Sequence, residues 1–173
     1  MIMRPAVRKF ALAAHVTSSV GTLGAVAGFL ALAIVGLVSL DVQVVRSAYI
    51  AMDLTARFVI VPCVFASLLT GLIQSLGTSW GLFRHYWILA KLLLTIVVTL
   101  VLLLQLELIG YLADAASKTT FSSADLHELR RSPVIHAAGG LLVLLLPVAL
   151  SIYKPRGMTR YGWHRRQERV SRR

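Results

Sequence analysis

Residues 87–113 read WILAKLLLTIVVTLVLLLQLELIGYLA, and between Lys91 and Asp114 the only charged side chain is Glu107. A hydrocarbon core about 30 Å thick is crossed by about 20 apolar residues in helical form, and this stretch supplies them. Three others do the same, within Leu12–Leu40, Phe58–Leu76 and Val134–Tyr153. Unpaired backbone groups are too costly in hydrocarbon, and no alternating ten-residue pattern suggests a barrel, so all four read as helices. The expectation is an all-α, polytopic four-helix bundle, with helices at about 12–38, 56–76, 87–113 and 133–153 and a basic tail over 154–173.

Composition agrees. The chain is 57% hydrophobic and only 14% charged, with a mean hydropathy of +0.77, whereas a soluble domain carries about a quarter charged residues. Its 173 residues leave little room for a second domain once four spans are counted. Cys63 is the lone cysteine, which excludes an internal disulfide and a cysteine-cluster metal site. Arg4 and Arg8 ahead of an apolar run imitate a secretory signal. The run continues to about Leu40, well past the roughly 7–15 residues of a signal core, so it is expected to stay as a membrane anchor.

Lysine and arginine concentrate on one side. Arg4, Arg8 and Lys9 precede the first span, Arg84 and Lys91 flank the second connection, and Lys154, Arg156, Arg160, Arg165 and Arg166 follow the last. The other two connections mix signs: Arg46 and Arg57 with Asp41 and Asp53, then Lys118, Arg130 and Arg131 with Asp114, Asp125 and Glu128. The excess of basic residues in short flanks places both termini in the cytoplasm. Trp80, Phe83, Tyr86 and Trp87 crowd the same face as interfacial anchors.

The second connection, with Gly77 and Gly81, is expected to be tight, and the first and third longer. Asp53 and Arg57 at i,i+4 spacing suggest that helix two starts a turn or two early, outside the membrane. Ser123 or Asp125 would cap a short external helix before Pro133, which suits the first turn of helix four. Pro62 and Pro147 are candidate kinks.

Ser18, Gly21, Gly24 and Gly28 recur at three- and four-residue spacing, a small-residue face of the kind that lets helices approach in lipid. Its first reading is a packing seam inside the bundle and its second a homodimer seam; Gly140, with Ala137 and Gly139, offers the same on helix four. Polar side chains within spans are functional suspects. His15 lies roughly 9 Å above Lys9, Glu107 about 24 Å above Lys91, and His136 about 27 Å above Lys154. Glu107 and His136 are therefore expected to meet near the external face, and Gln74 to share a level with His15, with His85 nearby.

Three roles compete for these groups. They are packing residues satisfied by neighbours; or His15, His85 or His136 holds haem or a metal; or Glu107 or His136 titrates in proton-coupled transport. His15 and His136 differ by roughly 18 Å in height, too far to share one iron. Soluble-enzyme motifs are absent: no phosphate-binding glycine loop, nucleophile elbow, zinc signature or paired carboxylates. The tail arginines most simply bind anionic lipid headgroups, at about 1 kcal/mol per basic residue. Their position at the membrane exit argues against nucleic acid.

The segments TGLIQSLGTSWGLFRHYWILAK (70–91), IHAAGGLLVLLLP (135–147) and YKPRGMTRYGW (153–163) resemble a group of bacterial four-helix integral membrane proteins classed as a domain of unknown function. The resemblance covers most of the chain and implies a cell (inner) membrane setting with nothing catalytic. A more distant likeness to copper-resistance D type membrane domains would imply copper. The residues do not supply that site: Met1, Met3, Met52 and Met158 form no thioether cluster, and Cys63 is single. The sequence thus points to a non-enzymatic membrane protein, an accessory or structural subunit or a carrier, with another membrane subunit or a second copy as candidate partner.

Overall fold

The computed structural model describes residues 3–77, 82–117 and 127–153, together with residues 155, 157–160, 162, 163 and 167. Helix α1 spans Pro5–Val38, with proline in its first turn, where the missing N–H removes no helical bond. After three residues α2 spans Val42–Thr55. It runs through a π-turn at Ala56–Ile60 into α3, Val61–Gly77. Helix α4 spans Tyr86–Ser117 and α5 His127–Tyr153. Four helices are long and apolar enough to cross a membrane, α2 and α3 together forming one of them over Val42–Gly77.

These helices outrun the spans that hydropathy marks. At 1.5 Å per residue, helices of 34, 36 and 32 residues measure about 51, 54 and 48 Å, against a hydrocarbon core of about 30 Å. Hydropathy marks where a helix meets lipid, not where its hydrogen bonding ends. Helix one therefore begins at Pro5 rather than near residue 12, and helix two at Val42 rather than 56. The first connection is not long: it is the turn Ser39–Asp41. Asp41 closes it by accepting from the N–H groups of Gln43 at 2.8 Å and Val44 at 3.4 Å, an N-cap that starts α2. Pro133 lies inside α5 rather than in its first turn. Ser123 and Asp125 fall outside the described residues, as does Trp80.

The π-turn has a local cause. Pro62 offers no N–H to the Phe58 carbonyl, and its ring crowds that carbonyl. The Val61 N–H instead reaches back five residues to the Ala56 carbonyl, widening the helix by one position.

Helix α1 packs on α2–α3 and on α5, and α4 packs on the same two neighbours, so the spans form a square of antiparallel helices. Its interior is divided. Towards the Ser39–Asp41 turn, here the loop end, Phe29, Ala33, Tyr49, Met52, Ala56, Ile60, Ile109 and Leu112 form an apolar core. Towards the opposite, terminus end the buried side chains include Thr22, Ser67, Ser75 and Thr99.

Candidate functional site

The polar half of the interior centres on the seam between α1 and α3. On α3, Ser67, Thr70 and Gln74 recur at three- and four-residue spacing and so share one face. His15 of α1 meets that face, its Nδ1 lying 3.0 Å from the Ser67 carbonyl and 3.3 Å from Thr70 Oγ1. The Ser19 and Ser67 hydroxyls hydrogen-bond at 2.7 Å one turn further in, and Gln74 Nε2 donates to the Ala11 carbonyl at 3.0 Å one turn further out. Gly71 gives the imidazole its place: a Cβ there would lie 3.0 Å from His15 Cε1.

A carbonyl oxygen only accepts, so in the neutral ring the Ser67 contact puts the hydrogen on Nδ1 and leaves a lone pair on Nε2. That is how ligating histidines are oriented. The other two histidines do not join it. The Nδ1 of His136 lies 2.8 Å from the Ser132 carbonyl of its own helix and 3.2 Å from the Ser132 hydroxyl, with the side chain exposed. His85 pairs through its backbone with Met158 and holds its ring 6.2 Å from Trp87. Among the described residues no three His, Cys, Asp or Glu side chains gather as a metal site would need.

The expected Glu107–His136 pair does not form. The face of α4 that meets α5 carries Gln105, whose Oε1 accepts from Ser132 at 3.5 Å. Glu107, two residues on, is turned about 200° from it and is exposed. The α1 glycines divide similarly. A Cβ on Gly21 would meet Cys63 Sγ at 3.6 Å, but nothing lies within 4 Å of one on Gly24, Gly28, Gly139 or Gly140. The buried line of α1 runs through Ala11, Thr22, Phe29 and Ala33, with Gly24 on the far side, so Gly24 and Gly28 are not an internal seam. Ser18 is spent on its own helix, donating to the Ala14 carbonyl at 2.9 Å.

Three arginines that composition assigns to the loop end are each held by backbone. Arg130 donates to the Gly36 carbonyl near the end of α1 and, at 3.3 Å, to the Tyr49 hydroxyl. Arg46 donates to the Ser117 carbonyl that ends α4. Arg57 bonds Asp53 at 2.7 Å and the Leu106 carbonyl at 3.4 Å. At Gly36 and Ser117 the arginine is a cation at a helix C-terminus, where it satisfies an orphan carbonyl and complements the dipole; the Leu106 carbonyl lies within α4.

At the terminus end the tail is partly docked. Thr159 donates its N–H to the Arg84 carbonyl at 3.0 Å and its hydroxyl to the Phe83 carbonyl, and Met158 bridges His85. A Cβ on Gly162 would lie 2.6 Å from the Arg84 carbonyl oxygen, so glycine is required for this approach. Lys91 Nζ bonds Ser151 Oγ at 3.1 Å and lies 4.6 Å from the Trp87 ring centroid. Of the headgroup candidates, Arg160 is exposed, while Lys154, Arg156, Arg165 and Arg166 lie outside the described residues. Sequence reasoning missed Ser19, Ser67 and Thr70, whose spacing is the signal that finds them. It also missed the Tyr49–Arg130 and Thr159–Arg84 contacts, which carry no local signal. No family model matches the chain, and no curated protein and no solved structure matches it.

Proposed function

We propose that this chain is a polytopic protein of a bacterial inner membrane, with both termini cytoplasmic, acting as a non-enzymatic accessory or structural subunit of a larger membrane assembly. One observation carries the reading. The polar groups within the bundle are tied into helix–helix contacts, His15 to Ser67, Ser19 to Ser67 and Gln74 to Ala11, while Glu107 and His136 are exposed instead of converging on an interior site. Such contacts are what holds helices together in lipid, where apolar burial supplies no drive. A carrier working through Glu107 would need that carboxylate inside the bundle.

The orientation is supported by the fate of the basic residues. Arg46, Arg57 and Arg130 at the loop end are committed to carbonyls, so the surplus available to hold topology and anionic lipid lies with Arg4, Arg8, Lys9, Arg160 and the tail. Extraction from native membranes in a mild detergent, followed by sizing and mass analysis, tests the proposal. The expected result is one defined assembly larger than the 18.9 kDa chain or its dimer. Recovery only as the free chain overturns it.

His15 favours a second reading, a haem protein with one axial histidine. The oriented Nδ1 and the free Nε2 fit a single axial ligand, and the haem itself would supply one-electron chemistry. A visible-range spectrum and metal analysis of protein made with haem supply separates the readings. A near-stoichiometric Soret band, lost in His15→Ala and kept in His136→Ala, establishes the haem reading; a colourless, metal-free protein removes it.

A further inference from the structure

Between the level of Lys91 and that of Asp114, Glu107 is the one charged side chain, among the described residues, for which the structure gives no hydrogen bond or ion pair. It lies on the outside of the bundle. The buried line of α4 runs through Thr99, Ile109, Leu112 and Ala116, and Glu107 is turned about 200° from Ile109. One and two turns along the same outward stripe are Leu104, 77% exposed, Leu100, 56% exposed, and Tyr111, 57% exposed. Sixteen residues past Lys91, the carboxylate lies about 24 Å along α4 from that lysine, inside a hydrocarbon core of about 30 Å whose inner edge is set at Lys91. An ion facing lipid at that depth is costly unless something compensates it.

Among the described residues none gives it a hydrogen bond or ion pair. Arg57, on the neighbouring helix, is engaged by Asp53 and the Leu106 carbonyl, and His136 bonds Ser132 on its own helix. We infer that the outward stripe Leu100–Leu104–Glu107–Tyr111 of α4 is a docking surface for a transmembrane helix of a different protein, one that brings a lysine or arginine to the level of Glu107. Charge complementarity chooses this occupant. A second copy docked isologously through the same stripe would bring Glu107 against its own symmetry mate, opposing like charges in low dielectric. The inference rests on the subunit reading and names the face and the chemistry by which the subunit is held.

The test uses the full chain in phosphatidylcholine nanodiscs and a fluorescent single-span peptide of leucine and alanine carrying one arginine at the matching depth, with leucine and glutamate versions beside it. Energy transfer should show the arginine peptide binding about tenfold more tightly than the leucine peptide, the scale of one interhelical polar contact. Glu107→Gln should abolish the difference, and Glu107→Arg should transfer the preference to the glutamate peptide. Because position 107 faces outward, neither change should lower helix content. Equal binding of the arginine and leucine peptides, or a preference that survives Glu107→Gln, overturns the inference, as does efficient disulfide cross-linking between chains that keep Glu107 and carry Leu104→Cys on the same stripe. If the preference is absent while the chain still extracts in a large assembly, the face is wrong and the subunit reading stands. If the preference is present while the chain extracts alone, the face stands and the subunit reading fails.

Discussion

The Tyr49 hydroxyl donates to the Gly36 carbonyl at 3.3 Å, and the ring lies so near the Gly36 Cα that an added Cβ would sit 3.0 Å from Cζ. This contact joins the end of α1 to α2 just beyond a three-residue turn. Tyr49 is fully buried beside Met52 and Ala33, so its ring has little room to swing aside. Gly36→Ala is expected to destabilise the bundle by about 1–3 kcal/mol through overpacking. Tyr49→Phe, which removes the hydroxyl but keeps the ring, should cost about 1 kcal/mol. Thermal unfolding in detergent checks both, and an unchanged melting temperature for Gly36→Ala would show that the ring yields.

Arg130 bonds two acceptors with different nitrogens, Nε to the Tyr49 hydroxyl and Nη2 to the Gly36 carbonyl. A lysine ammonium does not reproduce that fork. Arg130→Lys should therefore lose most of what Arg130→Met loses, about 1–3 kcal/mol for a charged hydrogen bond at a partly buried site. If Arg130→Lys melts like the unsubstituted chain, the charge alone suffices and the two-acceptor geometry is dispensable.

The docked tail makes a contrast between two glycines. Gly162→Ala would push a Cβ to 2.6 Å from the Arg84 carbonyl oxygen, which is backbone and cannot turn away, whereas a Cβ at Gly157 would rest 3.8 Å from the Tyr86 ring, an ordinary contact. Limited trypsin cleavage after Arg160 should speed up several-fold in Gly162→Ala and stay unchanged in Gly157→Ala. Equal rates in the two variants would mean that the tail does not depend on this approach.

The four spans were legible because each is a long apolar run, and that signal survives any tertiary arrangement. The ends were not. Asp41 and Arg46 look like the charges of a loop, yet they are an N-cap and a clamp on the Ser117 carbonyl; the Asp53–Arg57 i,i+4 pair was legible, but the helix that carries it starts at Val42, well before the turn or two that the pair implies. Polar residues on helix that projects past hydrocarbon read the same as polar residues on a loop. The candidate polar residues were legible as types, because any His, Glu or Gln in a span stands out. Their directions were not: height along a helix follows from the 1.5 Å rise, but Glu107 and His136 at one height still point away from each other. What the small-residue face of α1 meets was not legible for the same reason, since spacing defines a stripe and not what the stripe faces: Gly21 meets Cys63 of α3, and among the described residues Gly24 and Gly28 meet no other helix of the bundle. The docking of Thr159 on Arg84 depends on residues far apart in sequence and carried no local cue.

Gly24 and Gly28, unlike Gly36, should tolerate a side chain. With nothing within 4 Å of an added Cβ, Gly24→Leu and Gly28→Leu should leave the stability of the isolated chain, read by thermal unfolding, within about 0.5 kcal/mol of its starting value. Sedimentation of the same variants reads whether the open face is used between copies. A loss of stability in the monomer would place these glycines against another helix of the bundle.

His15 and Gly71 provide the most direct check on the polar seam. The ring packs against Gly71, with Nδ1 3.4 Å and Cε1 3.0 Å from where a Cβ would stand, and the same Nδ1 bonds the Ser67 carbonyl at 3.0 Å. Nitrogen-15 shifts of labelled histidine should show the neutral His15 ring protonated on Nδ1 and bare on Nε2. Gly71→Ala must displace the ring by a few tenths of an ångström, because the Cβ meets the middle of a stiff imidazole and not the end of a flexible chain. The bond to Ser67 should then weaken and the Nε2–H form appear, since that carbonyl, at 3.0 Å against 3.3 Å for Thr70 Oγ1, is the nearer acceptor that holds the hydrogen on Nδ1. Ser67→Ala separates the two contributions: it removes the 2.7 Å hydroxyl bond to Ser19 but leaves the Ser67 carbonyl in place. Its expected effect is therefore about 0.6 kcal/mol of stability, the average for a polar contact between membrane helices, with no change in the His15 tautomer. A tautomer that shifts in Ser67→Ala as far as in Gly71→Ala would mean that the serine hydroxyl, not the backbone, orients the ring.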